Sequence, residues 1–178
     1  MTLDRVRAHL RDYFGVQPDS ASVTFLGTEP IEVLRFTLGD QVHYVSLGCS
    51  RHPMVDPAQF AVDQLRGPRA EVVLRLRNPG PITGLTRSLA ILAATPAVEG
   101  IVLAADALID LGSPLWEGVS FTAMLLGRSD IPDVGLPAPR DPVRFLSATP
   151  VTATEAAWVR LKGAESMREA WREDGLER

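Results

Sequence analysis

The residue types that chemistry draws on most readily gather in one stretch: His43, Cys49 and His52, with Asp56 just beyond. Imidazole, thiolate and carboxylate are the donors that zinc accepts. Their spacing matches none of the paired patterns that make a metal site recognisable, such as two cysteines flanking two residues with a second pair further on. The same residues could form a Cys–His nucleophile pair, which needs a thiolate stabilised near an imidazole and an oxyanion donor. Cys49 lies between Gly48 and Ser50, where backbone N–H groups could point outward. A packed strand histidine and a buried thiol in a tight turn at a strand end explain the stretch more simply. An enzyme or metal-dependent protein centred on Cys49, His43 and His52 is therefore the third hypothesis.

Other chemistry is missing from the chain. Neither G-x-x-x-x-G-K-[ST] nor G-x-G-x-x-G occurs, so no phosphate-binding loop is read, and Lys162 is the only lysine. The G-x-S-x-G nucleophile elbow is absent too. Asp106 and Asp110 would share a face if both stood in one strand, and paired acids can divide acid and base work. Such residues more often mark turns and strand ends. The expectation is no enzyme, no cofactor and no metal, and a function exerted by binding. Trp116, in the turn-like run Gly112–Gly118, would anchor a partner if exposed or fill a gap if folded back over the sheet. Trp158 reads as core, and Trp171, among charged residues, as a second candidate anchor.

These residues need elements to position them. Leu3, Val6, Leu10, Tyr13 and Phe14 recur at the helical period, with Thr2 as a cap and Gly15 as a stop. Strands are predicted over Ser22–Leu26, Ile31–Leu38 and Gln41–Leu47, the last two joined by the two-residue hairpin turn Gly39-Asp40. A loop follows from Gly48 to Phe60, then a half-buried strand over Glu71–Arg77 that ends at Pro79-Gly80-Pro81. Thr83 or Thr86 caps a helix that runs to about Thr95 and that Pro96 stops. Further strands are expected from Gly100 to Ile109, Val119 to Leu126 and Val143 to Ala148, with a surface loop over 127–142. Thr152 and Thr154 start the closing helix, Thr152–Glu155 has capping-box spacing, and Ala156, Val159 and Leu161 begin its buried stripe until Gly163 breaks it.

Grouped strands between helices, rather than strict alternation, predict an α+β fold: a central mixed, largely antiparallel β-sheet flanked by helices. The 178 residues form one domain, 1–178, large enough to bury roughly 70% of the surface its unfolded chain exposes. Hydrophobic residues make up 46% and charged residues 22%, which argues against disorder. Eighteen basic and 22 acidic residues, spread evenly, give a net charge of -4, so no nucleic-acid partner is expected. A single cysteine excludes an internal disulfide framework and fits the cytoplasm. No apolar run is long enough to span a bilayer or serve as a signal peptide.

The strand His43-Tyr44-Val45-Ser46-Leu47-Gly48-Cys49-Ser50, running into Ser-x-Gly-x-Ser, resembles the signature of the Suppressor of fused domain family. Glu71–Arg77 resembles the family's strand with an acidic start. Gly112-Ser113-Pro114-Leu115 before Ser120–Leu126 resembles its small-Pro-Leu turn and strand, and Phe145–Lys162 its closing strand and helix. The family often carries Met where Cys49 stands. The resemblance implies an α+β domain that binds protein and has no catalytic residues to carry over. Its bacterial single-domain members are associated with neutralising toxins. The leading expectation is thus an immunity or antitoxin-like protein whose partner is a toxin domain or peptide. The second is a peptide-binding regulator that adds a strand to a sheet edge. Candidate partner-binding or structural-turn residues are Tyr44, Ser46, Gly48, Cys49, Ser50 and Trp116.

Overall fold

Alternating apolar residues build a seven-stranded mixed sheet with helices on both faces. The computed structural model describes residues 1–56, 58, 65–77, 80 and 82–176. In chain order its strands are β1 (Asp19–Val23), β2 (Ile31–Leu38), β3 (Gln41–Leu47), β4 (Arg69–Arg77), β5 (Leu108–Asp110), β6 (Phe121–Arg128) and β7 (Val143–Thr152). They lie in the order β1-β2-β3-β4-β7-β6-β5. Only β4 and β7 run parallel; every other neighbouring pair is antiparallel. The fold is α+β, as the grouping of strands and helices predicts.

Among the described residues four α-helices cover the sheet: α1 (Thr2–Phe14), α2 (Leu85–Glu99), α3 (Ala153–Lys162) and α4 (Ala164–Glu173). Val6, Leu10 and Phe14, at four-residue spacing on α1, pack on Leu34, Phe36, Val45, Leu47 and Phe145. On the other face Leu85, Leu89, Leu92 and Ala93 of α2 meet Val33, Val42, Tyr44, Val72, Leu74 and Leu126. Central strands are thereby buried on both sides, which is why Val33-Leu34 and Val72-Val73-Leu74 are apolar without a break. The closing helices bury Ala156, Val159, Met167 and Trp171 against Ala123, Leu125 and Val151.

Several expected boundaries move. The first strand lies at Asp19–Val23 rather than Ser22–Leu26, because Val23 pairs with Ile31 and the chain must turn between them. Leu26 is left wholly exposed. Most of 100–109 is irregular, and only Leu108–Asp110 forms a strand. Asp106 stands in a turn with φ 72° and Asp110 in the strand, so they do not form a one-face pair. The last strand continues past Ala148 to Thr152 because β6 pairs with it that far. The loop 127–142 sends Ile131 and Val134 into the α1 core.

The helix caps differ as well. Met1 occupies the cap position of α1 without a side-chain bond, and Gly84 that of α2, so Thr2, Thr83 and Thr86 cap nothing. Pro96 lies within the last turn of α2, which runs on to Glu99. At the start of α3 the capping box is formed, Thr152 and Glu155 each taking the other's backbone N–H. Gly163 separates α3 from α4. Trp158 is 44% exposed and Leu161 83%, against the expectation of core. Trp171 is buried instead, its Nε1 donating to Glu155 at 2.8 Å, so it is no exposed anchor. The ends of the expected loop and turn at Pro57, Phe60, Pro79 and Pro81 lie outside the described residues.

Candidate functional site

The Ser46–Ser50 turn is wrapped around one carboxylate. Glu71, fully buried on β4, accepts the Ser46 hydroxyl on Oε1 at 2.7 Å. Its Oε2 accepts the backbone N–H groups of Gly48 at 3.0 Å and Ser50 at 2.9 Å, and the Ser50 hydroxyl. Burial pushes the Glu71 pKa up, and the four donors oppose it. Ser46 also accepts the Val72 N–H at 2.9 Å, so its hydroxyl replaces a ladder bond where β3 leaves β4. Gly48 adopts φ 155°, and a Cβ there would stand 2.7 Å from Ile31 Cδ1, so the middle of Ser-x-Gly-x-Ser must be glycine. Behind the turn, buried Arg69 donates to the carbonyls of Ser50 at 2.8 Å and Arg51 at 2.9 Å.

Tyr44, Ser46, Gly48 and Ser50 are all buried. Cys49 is partly buried against the α2 core, and burial, with Glu71 second, raises its thiol pKa well above the ordinary value. His43 lies against the Phe14 ring, its pKa lowered by burial and then by Arg75. His52 is exposed and contacts Glu29 at 3.1 Å. These three residues serve three separate surroundings. Among the described residues no group of three or more His, Cys, Asp or Glu could hold a metal ion.

Trp116 belongs to a different feature. The first half of β4, Arg69–Val73, pairs with β7, whereas the second half, Val73–Arg77, pairs with β3. Beyond Val73↔Ser147 the two parallel strands part, and among the described residues no strand pairs with Leu74–Arg77 on that side. Proline cannot donate to a ladder, and Pro150 stands where β7 has left β4. The parting opens a groove of about 590 Å³. Arg75, Leu76 and Arg77 line one wall and Ala148, Thr149 and Pro150 the other, while Trp116, packed on Phe121 at 5.9 Å, and Tyr13 stand at its sides.

A family profile described as Suppressor of fused protein matches residues 27–177. The chain belongs to the Suppressor of fused family. Solved members share its fold. A Neisseria gonorrhoeae homologue of suppressor of fused is 20% identical, with a TM-score of 0.68 over 98% of this chain and 90% of that one. The Sufu protein of the Sufu–Fu complex is 17% identical, with a TM-score of 0.66 over 96% of this chain and 83% of that one. Drosophila Suppressor of Fused is 18% identical, again with a TM-score of 0.66, and this chain spans 96% of itself but 46% of that protein. No curated protein sequence matches the chain.

The Suppressor of fused resemblance was legible in the Ser-x-Gly-x-Ser turn, but two residues that organise that turn were not singled out. Glu71 and Arg69 sit at the start of β4, written as Arg-Ala-Glu-Val-Val-Leu. Two charges flanking a small residue ahead of an unbroken apolar run were the available signal: a strand buried on both faces must pair any charge it carries. The groove had no local signal, since it arises from two strands far apart in sequence.

Proposed function

We propose that this protein is a non-catalytic binding domain that takes an extended segment of a partner protein into the groove between β4 and β7. The observation that carries the reading is the edge of β4 at Leu74–Leu76, with which no strand among the described residues pairs on the β7 side, facing half-buried Thr149 and Pro150 across a gap. An added strand gains main-chain hydrogen bonds from such an edge and specificity from pockets for alternate side chains. Trp116 and Tyr13 supply aromatic surface of the kind that anchors interfaces. Arg75, Arg77 and Arg128 outnumber Asp130 in the lining, so the groove favours a neutral or acidic segment although the whole chain is acidic. The relative in the Sufu–Fu complex is itself bound to a protein.

No reactive group enters this reading, because the Cys49 thiol is held protonated by burial. Among the described residues no helix is long and apolar enough to cross a membrane. A cytoplasmic setting goes with the reading, a lone partly buried thiol suiting a reducing compartment. We propose toxin neutralisation as the biological use, in line with the family resemblance. Selection of peptides from a displayed random library tests the groove. Selected peptides should lose binding to Thr149→Trp, which fills the gap, and to Trp116→Ala; equal binding to both variants would remove the groove as the site. Co-expression with toxin domains encoded beside this gene tests the biological use.

A further inference from the structure

The far end of the Ser46–Ser50 turn reaches a second concavity, of about 730 Å³, that the groove does not involve. Four arginines line it: Arg5 from α1, Arg51 after the turn, Arg69 at the start of β4 and Arg140 from the loop before β7, with His52 beside them. Among the described residues neither Asp nor Glu lines it. Like charges brought together repel, yet this chain carries 22 acidic residues against 18 basic ones, and carboxylates were there to be placed. The Arg51 charge is partly matched at the rim, where Glu29 contacts both Arg51 and His52 at 3.1 Å. Arg5 and Arg140 have no ion-pair partner among the described residues.

Arg69 supplies an independent observation. It is 3% exposed, and its two terminal nitrogens hold the carbonyls of Ser50, Arg51 and Leu65. Among the described residues its Nε has no hydrogen-bond partner. A buried donor left unpaired is costly and calls for a specific cause. Burial first and Arg140 second lower the Arg69 pKa, while Asp141, whose Oδ1 takes the Gly67 N–H at 3.3 Å, opposes them. An anion in the cavity would relieve this repulsion. The uncapped start of α1 lies here as well, since Met1 and Thr2 join the lining, and helix starts favour negative charge.

We propose that this cavity binds a small molecule of nucleotide size through a phosphate or pyrophosphate group. Arginine forks match phosphate oxygens in pairs, which explains why several converge. A cavity of about 730 Å³ falls within the range of small-molecule sites and exceeds what a bare phosphate fills. Val55, Leu136 and Pro137 offer apolar walls for the remainder of the ligand.

Titration calorimetry of the whole chain with ADP, and separately with inorganic pyrophosphate, tests the assignment. Saturable binding of both is expected, weakening as salt rises. Arg5→Gln with Arg140→Gln should weaken it roughly tenfold or more, the factor set by losing one good charged contact. Arg87→Gln, on the exposed side of α2, should leave it unchanged, and amide shifts on titration should centre on Thr2–Arg5 and Arg140. Pyrophosphate binding without ADP binding would overturn the nucleotide-sized ligand. No saturable binding of either compound, or binding that survives the double variant, would overturn the site. Neither variant touches the groove between β4 and β7, so peptide binding reports on that reading separately.

Discussion

A single carboxylate decides whether the end of β3 and the start of β4 stay together. Glu71 meets two backbone N–H groups and two hydroxyls in full burial. Removing it orphans several buried donors at once, so Glu71→Ala should cost about 3–5 kcal/mol in chemical denaturation. Glu71→Gln should cost clearly less, because its oxygen keeps the Gly48 and Ser50 donors and its amide can donate to Ser46. His43 makes a pH prediction. Its pKa is lowered in the fold, so the unfolded chain binds more protons between that value and about 6.5. The contribution is fully present above about pH 6.5 and declines as pH falls through the folded-state value. His43→Gln should flatten that part of the curve; an unchanged slope would place the titration elsewhere. The types and spacing in Ser-x-Gly-x-Ser identified the turn, yet Glu71 reads locally as only the acidic start of a strand. Its role becomes visible when Ser50, 21 positions away in sequence, is brought against it.

At the scale of elements, the periodic segments were the legible ones. Central strands and α1 carry apolar residues at fixed spacing, and their positions follow from it. Punctuation was less legible. Pro96 was expected to stop α2, but a proline in the final turn forfeits only one bond, the one its missing N–H would have made to the Leu92 carbonyl. That carbonyl is taken instead by the Thr95 hydroxyl at 2.8 Å. Thr95→Val, similar in shape and without the hydroxyl, should therefore cost about 1–2 kcal/mol and lower the melting temperature; an unchanged melting temperature would mean that Leu92 finds another donor. The aromatic side chains of the closing helices also depart from the sequence expectation. Helix α3 packs on the sheet over a narrow stripe, Ala156 and Val159, which leaves Trp158 outside. Trp171 turns inward because α4, after the break at Gly163, lies against α3 and Glu155 waits for its indole N–H. Trp171 shares one face of α4 with Ala164 and Met167 at i, i+3 and i+7, and that spacing, read across the break at Gly163, carries the signal for its burial.

Across the whole molecule, β4 changes partners halfway along, and stability and binding surface follow from that exchange. Before Val73 one side is closed by β7; after Val73 the other side is closed by β3, and among the described residues no strand pairs with the side toward β7. The Ser46–Ser50 turn fills the corresponding vacancy on the β3 side, where the Ser46 hydroxyl caps Val72 and Glu71 holds the chain in place. One gap in the sheet is thus sealed by a buried polar cluster, and the other forms the groove to which the proposed strand addition is assigned. Hydrogen exchange should separate the two. Amides of Ala70–Val73 should exchange slowly, at rates near those of global unfolding, since each is enclosed by a neighbouring strand or by the turn. Within Leu74–Arg77 alternate amides, those directed toward the gap, should exchange much faster because water replaces the absent strand. A partner segment that enters the groove should slow those alternate amides and leave the rest of β4 unaffected. Uniformly slow exchange along the free chain's β4 would show the gap closed in solution, and strand addition would then need an edge elsewhere, with β1 exposed along four of its five residues.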